Sequence, residues 1–479
     1  MRFRRTTVII IGLLAFLGGL GFARTKWLVS YEIIGSLVIL WLVTVIPLKW
    51  LAILSTLLLG FALGWWRGQV YLEKLKPLTE LNNVKASGIV TATSDAAYNS
   101  RGQLSFDAES LNLTQSYQAQ LPGRLIISGF GAPAVFKGDQ VEITGKFYAA
   151  RGSHQLGMSF ADIQVIGQGS SKIDDIRRNF TAGLQSAVPE PEASFGMGLL
   201  IGQRSNLSTT VTNQLAAVGL THIIAVSGYN LMIILRAVRR LLLKRSKYQT
   251  AIISLILIIL FLLMTGMSAS IVRAAIVSML SIGSWYYGRT FRPLLVIALA
   301  AAITAGINPL YIWSDIGWYL SFLAFFGVLI LSPLLNQRFF KSAELSAVPA
   351  LLSESFSALV MTVPLIMYTF NQVSLVALPA NLLLVPLVPM AMLFSLVAGI
   401  AGALAPSIAG LLAWPATMLM TFMLDVVQLL SRVPHALAHR DLSLAGMIIF
   451  YTCLVLFVGT LGLKSRRRYA KITDMKAVF

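Results

Sequence analysis

Polar residues within apolar stretches are the residues of this sequence that could do chemistry, because each costs free energy there unless it meets a partner, a cavity or water. The first group opens an apolar stretch and reads GLTHIIAVSGYN at 219–230. On a helix, His222 and Tyr229 share one face. Ser227 and Asn230 lie on a neighbouring face. The pattern is typical either of a polar conduit or of a hydrogen-bonded packing seam between helices.

Two opposite charges lie within later apolar segments. Arg273 lies about 8 Å into its helix, from a rise of about 1.5 Å per residue. Asp315 stands at the start of another apolar segment. Since charges within a membrane usually seek each other, we expect Arg273 and Asp315 to pair. The alternatives are that Arg273 snorkels to the interface and that Asp315 is solvated beside an aromatic belt.

Further polar positions accompany these charges. The run after Asp315 continues with Trp318 and Ser321, which could line the same polar region. Asn381 lies in the run PANLLLVP, whose last residue, Pro386, removes a backbone hydrogen bond inside an apolar segment. A kink that faces protein or water is expected there, and a purely structural kink is the other interpretation.

An intramembrane serine hydrolase would need Ser227, His222 and Asp315 to meet, which the sequence does not favour. The run AVSGY around Ser227 lacks the first glycine of the hydrolase elbow. His222 lies five positions earlier, about 140° around a helix, so the three residues would need a nonlocal arrangement. We therefore expect no catalytic residue and no enzymatic activity.

Metal and cofactor sites are also not expected. His435 and His439 have the i, i+4 spacing of a metal-binding pair, but no pattern of carboxylates supports them. We interpret them as interface residues. The single cysteine, Cys453, excludes an intramolecular disulfide and a cysteine-based zinc site. The sequence also lacks a glycine-rich phosphate loop.

Membrane helices are the elements that must position these residues. The chain has 479 residues, of which 56% are hydrophobic and only 12% are charged, against about 25% charged residues in soluble domains. This composition excludes a water-soluble fold. Since a spanning helix needs roughly 20 apolar residues, the sequence predicts a polytopic α-helical membrane protein with about 12 transmembrane helices. They are placed at 7–23, 29–47, 49–65, 218–236, 248–265, 269–287, 293–307, 317–334, 348–370, 377–403, 409–431 and 443–463.

Lys and Arg residues beside the apolar segments predict the orientation. They also explain the net charge of +19, which by itself does not indicate a nucleic-acid partner. Both termini are expected in the cytoplasm, and residues 66–217 outside the cytoplasmic membrane. The polar groups then all begin at the outer half of the membrane. The first apolar run resembles a signal peptide, but its length favours a retained helix.

A β-rich insert interrupts the helices between Asn82 and Gly167. Alternating apolar and polar positions predict five short strands, which suit a small OB-type barrel. A generic β-sandwich fragment fits the pattern equally well. The stretch 171–217 then becomes helical and amphipathic and is expected to lie on the surface as a connector. The strands are predicted at 84–92, 104–113, 124–128, 140–147 and 157–166.

The predicted organisation therefore has five parts. N-terminal transmembrane helices come first, followed by the soluble OB-like domain, the amphipathic connector, a second set of transmembrane helices and a basic cytoplasmic tail. These parts occupy residues 1–65, 66–170, 171–217, 218–463 and 464–479.

The order of the motifs resembles the membrane core of the ComEC family of bacterial competence proteins. The resemblance rests on GLTH with the following SG at 219–228, on VRA around Arg273, on DIGWYLSFLA from Asp315, and on Asn381 with Pro386. The run GDQVEITG in the insert is similar to the N-terminal OB-type domain of the family.

Two departures from the family pattern stand out. The usual Leu-His after Ser-Gly is replaced by Tyr229 and Asn230. The chain also ends soon after its last apolar segment. We therefore expect a short form that lacks the metallo-β-lactamase-like domain of longer members.

The resemblance implies a channel that translocates single-stranded DNA across the cytoplasmic membrane during natural transformation. It implies as partners single-stranded DNA, membrane lipid, other competence proteins such as a DNA receptor and a cytoplasmic helicase, and further copies of the chain. The channel candidates are His222, Ser227, Tyr229, Asn230, Arg273, Asp315, Trp318, Ser321 and Asn381. The DNA-binding candidates are Lys85, Arg101, Arg124, Lys137, Lys146 and Arg151.

A secondary transporter for a small solute is the alternative function. It would use the same buried polar groups, but transporters commonly contain inverted repeats. No such repeat is evident in the sequence.

Overall fold

A computed structural model describes residues 5–472 of the chain apart from short stretches. The chain forms two compact units. The barrel unit comprises Met1–Ser171 and Leu294–Tyr319, and the helical unit comprises Lys172–Pro293 and Leu320–Phe479. The stretches that are not described are 26–30, 46–48, 99–102, 115–120, 133, 151–153, 170–171, 204–206, 225–229, 232–233, 236–237, 240–241, 243–244, 266–268, 289–291 and 340–346.

Helices make up most of the described chain, as its apolar composition predicts. The helices are α1 (Arg5–Phe22), α2 (Tyr31–Val45), α3 (Lys49–Thr79), α4 (Lys172–Ala187), α5 (Glu192–Ile201), α6 (Thr209–Ala217), α7 (Thr221–Ile224), α8 (Lys247–Thr265), α9 (Ala269–Tyr286), α10 (Pro293–Ile307), α11 (Leu310–Ser314), α12 (Ile316–Phe326), α13 (Ser332–Phe339), α14 (Ala347–Phe370), α15 (Ala377–Leu384), α16 (Val388–Leu404), α17 (Pro406–Ser431) and α18 (Leu444–Ile472). The strands are β1 (Lys85–Ala92), β2 (Ala97–Tyr98), β3 (Leu104–Leu113), β4 (Leu121–Phe130), β5 (Gln140–Ala149), β6 (Leu156–Gly167), β7 (Gln372–Ser374) and β8 (Leu437–His439).

Five strands of the barrel unit close into a small barrel. The order is β1, β5, β6, β4 and β3, and β3 pairs back onto β1. β4 and β6 run parallel, whereas the other neighbours run antiparallel. The five predicted strands are confirmed, and closure makes the sandwich alternative wrong. The sequence did not predict β2, which has two residues. The barrel core includes Phe106, Ile127, Ile143, Phe147 and Ile163, which are at most 2% exposed.

A stripe of glycines brings α1 and α3 into backbone contact. Gly60, Gly64 and Gly68 recur every four residues on α3 and therefore share one face. A Cβ atom on Gly64 would lie 2.0 Å from the carbonyl oxygen of Phe16 on α1. Membrane helices associate through such small residues, because lipid tails provide no hydrophobic drive between helices.

The predicted surface connector packs more deeply than its amphipathic sequence suggests. A Cβ atom on Gly402 of α16 would lie 1.9 Å from the carbonyl oxygen of Gly183 on α4, so these two backbones touch. In α5, every residue from Ala193 to Leu199 is buried. The surface position is therefore wrong for α5. Its run ASFGMGLLI is almost free of polar groups and packs as core.

Among the described residues, seven helices are long and apolar enough to cross a membrane. The chain is a membrane protein, but twelve spans are not confirmed. The predicted spans at 7–23, 29–47, 269–287 and 293–307 contain apolar helices of only 10–17 residues. The span at 218–236 lies partly outside the described residues. The seven are Leu51–Thr79, Lys247–Thr265, Ile316–Phe339, Val348–Phe370, Ala377–Leu404, Pro406–Ser431 and Leu444–Leu461.

Two of these long helices contain breaks in the α-helical pattern. A 3-10 turn at Val385–Leu387 separates α15 from α16, so the kink predicted at Pro386 is confirmed. A π-helical segment at Gly327–Leu331 joins α12 to α13, and no sequence feature predicted it. A Cβ atom on Gly327 would lie 2.6 Å from the carbonyl oxygen of Ser357, so α14 packs closely at this point. The predicted tail from residue 464 is helical as far as Ile472.

Candidate functional site

Two of the predicted polar groups meet in the helical unit. Gly219 precedes α7 and has a φ of +75°, a conformation that favours glycine. A Cβ atom there would lie 2.8 Å from Cβ of Ala377 and 3.2 Å from Cβ of Ser374. Ala377 begins α15, which carries Asn381 one turn later. The groups that contain His222 and Asn381 therefore share one region.

His222 is exposed on the short helix α7. Its Nδ1 atom lies 3.1 Å from the carbonyl oxygen of Gly219, so this nitrogen donates when it carries the proton. Ile223 and Ile224, which follow it, belong to the same buried apolar cluster as Ala380 of α15. The apolar side of α7 is thus fixed while the imidazole stays accessible.

Asn230 has a structural role. The side chain is 1% exposed, and its amide donates to the carbonyl oxygen of Leu199 at 3.0 Å. Leu199 lies in the last turn of α5, where carbonyl groups lack helical donors. This contact fits the packing-seam interpretation of the first motif. Ser227 and Tyr229 lie outside the described residues.

The charge of Arg273 is enclosed. Its side chain is 2% exposed, and its guanidinium carbon lies 6.0 Å from the ring centroid of Phe322. The aromatic quadrupole attracts a cation in this position. Snorkelling is therefore wrong, because the guanidinium does not reach the surface.

Asp315 begins α12 as its N-cap. Its Oδ1 atom accepts a hydrogen bond from the backbone N–H of Trp318 at 3.1 Å, from an extended backbone conformation. Gly317 leaves room for the carboxylate, since a Cβ atom there would lie 3.1 Å from Oδ1. Asp315 belongs to the barrel unit and Arg273 to the helical unit. Their ion pair stays a prediction.

Trp318 anchors the start of α12 to α10 within the barrel unit. Its ring is 5% exposed, and Nε1 donates to Oγ1 of Thr304 at 3.0 Å. The hydroxyl of Thr304 in turn donates to the carbonyl oxygen of Ala300 at 2.8 Å. Ser321, the remaining candidate on this helix, is half-buried. The sequence had not singled out Thr304, because a threonine inside an apolar helix gives no signal of its partner.

Two buried oxygen atoms, one on β7 and one on α15, have no hydrogen-bond partner among the described residues. One is Oδ1 of Asn381, whose side chain is 6% exposed. The other is Oγ of Ser374. Each unpaired atom costs about 1–3 kcal/mol unless water or a ligand reaches it. Together with the exposed His222, these atoms form the polar region of the helical unit.

Two of the DNA-binding candidates lie opposite each other on the barrel. Lys85 of β1 and Lys146 of β5 are paired in register, and both are exposed. Tyr148, the next outward position on β5, lies across Gly157. Like charges directly opposite each other destabilise a sheet. The pair therefore places two positive charges side by side on the surface of the barrel.

The other DNA-binding candidates are more scattered. Arg124 is half-buried near the start of β4, and its Nη1 atom donates to the Tyr311 hydroxyl at 3.5 Å. The backbone N–H of Lys137 donates to Oδ1 of Asp95 at 3.0 Å. Arg101 and Arg151 lie outside the described residues.

The imidazole groups do not assemble into a metal-like site in the part of the chain that the structure describes. Nε2 of His154 lies 3.0 Å from Oδ1 of Asp107. His435 and His439 are exposed near the β7–β8 pair. Within the described residues, no three His, Cys, Asp or Glu side chains are grouped so that they could hold a metal ion.

The sequence analysis had missed a set of arginines and aromatic rings in the barrel unit. Arg24 lies over the ring of Trp313 at 5.2 Å, and Arg67 over the ring of Tyr71 at 5.4 Å. The available signal was the run WWRGQVY at 65–71, where Arg67 stands between aromatic residues just before the soluble insert. This signal was missed because an arginine beside an apolar segment usually anchors the helix at the membrane interface.

Comparison with known proteins agrees with the order of the motifs. The sequence model of the family described as Competence protein matches residues 199–464. ComE operon protein 3 of Bacillus subtilis (strain 168) is 23% identical over 231 residues, which cover 48% of this chain and 29% of that protein. The match thus spans less than a third of the relative's length. No solved structure matches the chain. Because the family model covers more than half of its residues, the chain belongs to the competence protein family.

Proposed function

We propose that this protein is a channel that translocates single-stranded DNA across the cytoplasmic membrane during natural transformation. The observation that carries the proposal is the family match over residues 199–464, which contains the polar groups around His222, Arg273 and Asn381. The relative's name associates it with the ComE operon. We propose that the membrane helices of this family carry out the transport of DNA in competence.

The polar region of the helical unit supports a conduit. A strand that leaves water needs groups that replace its hydrogen bonds, because unpaired polar groups in an apolar medium are costly. The unpaired oxygens of Asn381 and Ser374 and the accessible ring of His222 are such groups. They are neutral or titratable and bind no metal in this proposal. In this proposed role the protein is a conduit and not an enzyme.

The barrel supports a DNA-presenting role outside the cytoplasm. A sequence-tolerant site for a single strand combines cations with aromatic platforms. Lys85 and Lys146 supply adjacent charges. The rings of Phe130 and Phe160 are 52% and 68% exposed, with centroids 6.5 Å apart. We propose that these groups, with Arg101, Arg124, Lys137 and Arg151, guide the strand towards the membrane.

The proposed partners follow from this role. Membrane lipid surrounds the apolar helices, and a DNA receptor delivers the strand outside. A cytoplasmic helicase pulls the strand inwards, and copies of the chain associate with each other.

Uptake of labelled DNA tests the proposal. Deleting the gene in a transformable host should abolish labelled DNA that resists external nuclease, while DNA bound at the cell surface stays normal. Re-expression of the wild-type chain should restore uptake. Normal uptake in the deletion strain would sink the channel proposal.

A further inference from the structure

The barrel unit contains a chain of arginines stacked on aromatic rings. The guanidinium carbon of Arg24 lies 5.2 Å from the ring centroid of Trp313, and that of Arg67 lies 5.4 Å from the ring of Tyr71. The two rings are 6.3 Å apart. We define the arginine–aromatic cluster as Arg24, Arg67, Arg124, Tyr71, Tyr311 and Trp313.

Hydrogen bonds tie the barrel strand β4 to the same cluster. Nη1 of Arg124 donates to the hydroxyl of Tyr311 at 3.5 Å. The side-chain amide of Gln155 donates to the Tyr71 hydroxyl at 3.2 Å, and its oxygen accepts the backbone N–H of Arg124. The Tyr71 hydroxyl donates to Oδ1 of Asn308 at 2.9 Å. The barrel, α3 and the segment around α11 therefore contribute to one network.

The three arginines of the cluster lack a neutralising carboxylate among the described residues. None of them forms an ion pair there. Glu109 lies directly across from Arg124 in the sheet, yet the guanidinium of Arg124 donates to Tyr311 instead. Arginine stays charged at any physiological pH. Gathering three positive charges costs Coulomb energy, which a bound anion would relieve.

The stacking geometry suits a phosphate ligand. A ring that covers the face of a guanidinium leaves its in-plane N–H groups able to donate. Arg67 uses one of them on the carbonyl oxygen of Ile307 at 3.1 Å. The planar fork of arginine matches the oxygen spacing of phosphate. Arg24 is exposed, so a ligand can reach the cluster.

We propose that the arginine–aromatic cluster binds phosphodiester groups of single-stranded DNA where the barrel adjoins α3 and α11. This inference rests on the proposed function and adds to it a defined contact for the sugar-phosphate backbone. Phospholipid headgroups carry the same phosphodiester chemistry. We assign the site to DNA because the cluster includes Arg124 of β4, and the barrel is the part of the chain that the proposed function gives to the strand.

Binding of a labelled oligothymidylate to the full chain in phosphatidylcholine nanodiscs tests the site. Replacing Arg24, Arg67 and Arg124 together by glutamine should weaken binding roughly 100-fold, given about tenfold for each of at least two charge-assisted hydrogen bonds that are lost. The slope of log K against log salt should fall by about 2, since each lost contact to a single strand removes about 0.7. An uncharged methylphosphonate oligomer should bind both proteins equally weakly.

Two variants guard against effects on folding. Arg24→Gln changes only an exposed side chain, so it should fold normally and lower the salt slope by about 0.7. Arg440→Gln removes an exposed charge from the helical unit and should leave the slope unchanged. An unchanged slope for Arg24→Gln and for a folded triple variant would overturn the site.

A lipid arm separates the two sources of phosphodiester. Nanodiscs with phosphatidylglycerol test whether that lipid stabilises the protein against heat. If the triple variant loses this stabilisation but still binds oligothymidylate, the cluster binds lipid and the proposal is overturned. Unchanged oligonucleotide binding together with lost uptake in the deletion strain overturns the site and leaves the channel standing. Weakened binding with normal uptake in the deletion strain supports the site and overturns the channel.

Discussion

At the scale of single residues, Asp315 has two candidate roles that make different demands on its charge. As an N-cap it accepts the backbone N–H of Trp318 at 3.1 Å, which an asparagine side chain can also do. As the partner of Arg273 it would need its negative charge, because an amide does not neutralise an enclosed guanidinium. Replacement by asparagine therefore separates the two roles.

If the N-cap is the only role of Asp315, Asp315→Asn leaves thermal stability and DNA uptake close to those of the wild type. Asp315→Ala should destabilise the start of α12 by about 1 kcal/mol, the usual cost of losing a cap. Thermal unfolding of the detergent-purified chain measures both variants. If asparagine proves as harmful as alanine, the charge matters and the ion pair with Arg273 gains support, which the double charge swap then tests.

A substitution of Lys146 is expected to have opposite effects on the stability of the barrel and on DNA binding. Its positive charge faces Lys85 across the sheet, so Lys146→Gln should stabilise the barrel by about 0.5 kcal/mol. The same change should weaken binding of oligothymidylate, since a phosphate contact is lost. Lys74→Gln, an exposed change on α3 outside the sheet, is the matched control. A loss of stability with unchanged binding would contradict this assignment.

At the scale of elements, strands were easier to predict than helix ends. The barrel strands alternate between core and surface, and Val141, Ile143 and Phe147 stand at inward positions that mark this period. An apolar helix carries no such internal marker, so hydropathy alone did not show that α3 continues beyond the predicted end at residue 65 to Thr79. The spacing of the glycines on α3 indicates a helix-packing face, and Gly64 does contact Phe16. The sequence did not show that α1 is the helix that packs there.

Alanine substitutions of glycines on α1 and α3 test the backbone contact, because only a glycine at the contact should lose stability when it is replaced. Gly64→Ala should destabilise the α1–α3 pair by about 1–3 kcal/mol, because its Cβ atom would lie 2.0 Å from the carbonyl oxygen of Phe16. Gly21→Ala on α1 meets nothing within 4 Å, so it should be neutral or stabilise by up to about 1 kcal/mol through helix propensity. Thermal unfolding in detergent measures both, and equal effects would argue against backbone contact.

At the scale of the whole molecule, the types of the site residues were predictable and their assembly was not. The order of motifs identified the family before any geometry was known. The contact of Gly219 with Ala377 joins segments far apart in the chain, and nothing local to either segment encodes it. Asn230 was predicted as a polar group of the first motif, but its acceptor, Leu199, lies in a helix taken for part of a surface connector.

Topology is the prediction that tests the molecule as a whole. In the proposed orientation, Asn82 at the base of the barrel lies outside and Lys247 at the start of α8 lies in the cytoplasm; both are exposed. Only the segment 218–236 is expected to cross the membrane between them, and it is partly outside the described residues. In a Cys453→Ser background, Asn82→Cys should react with an impermeant maleimide on intact cells, and Lys247→Cys only after lysis. Reaction of both from the same side would mean that 218–236 does not span, and would reverse the side assigned to every helix after it.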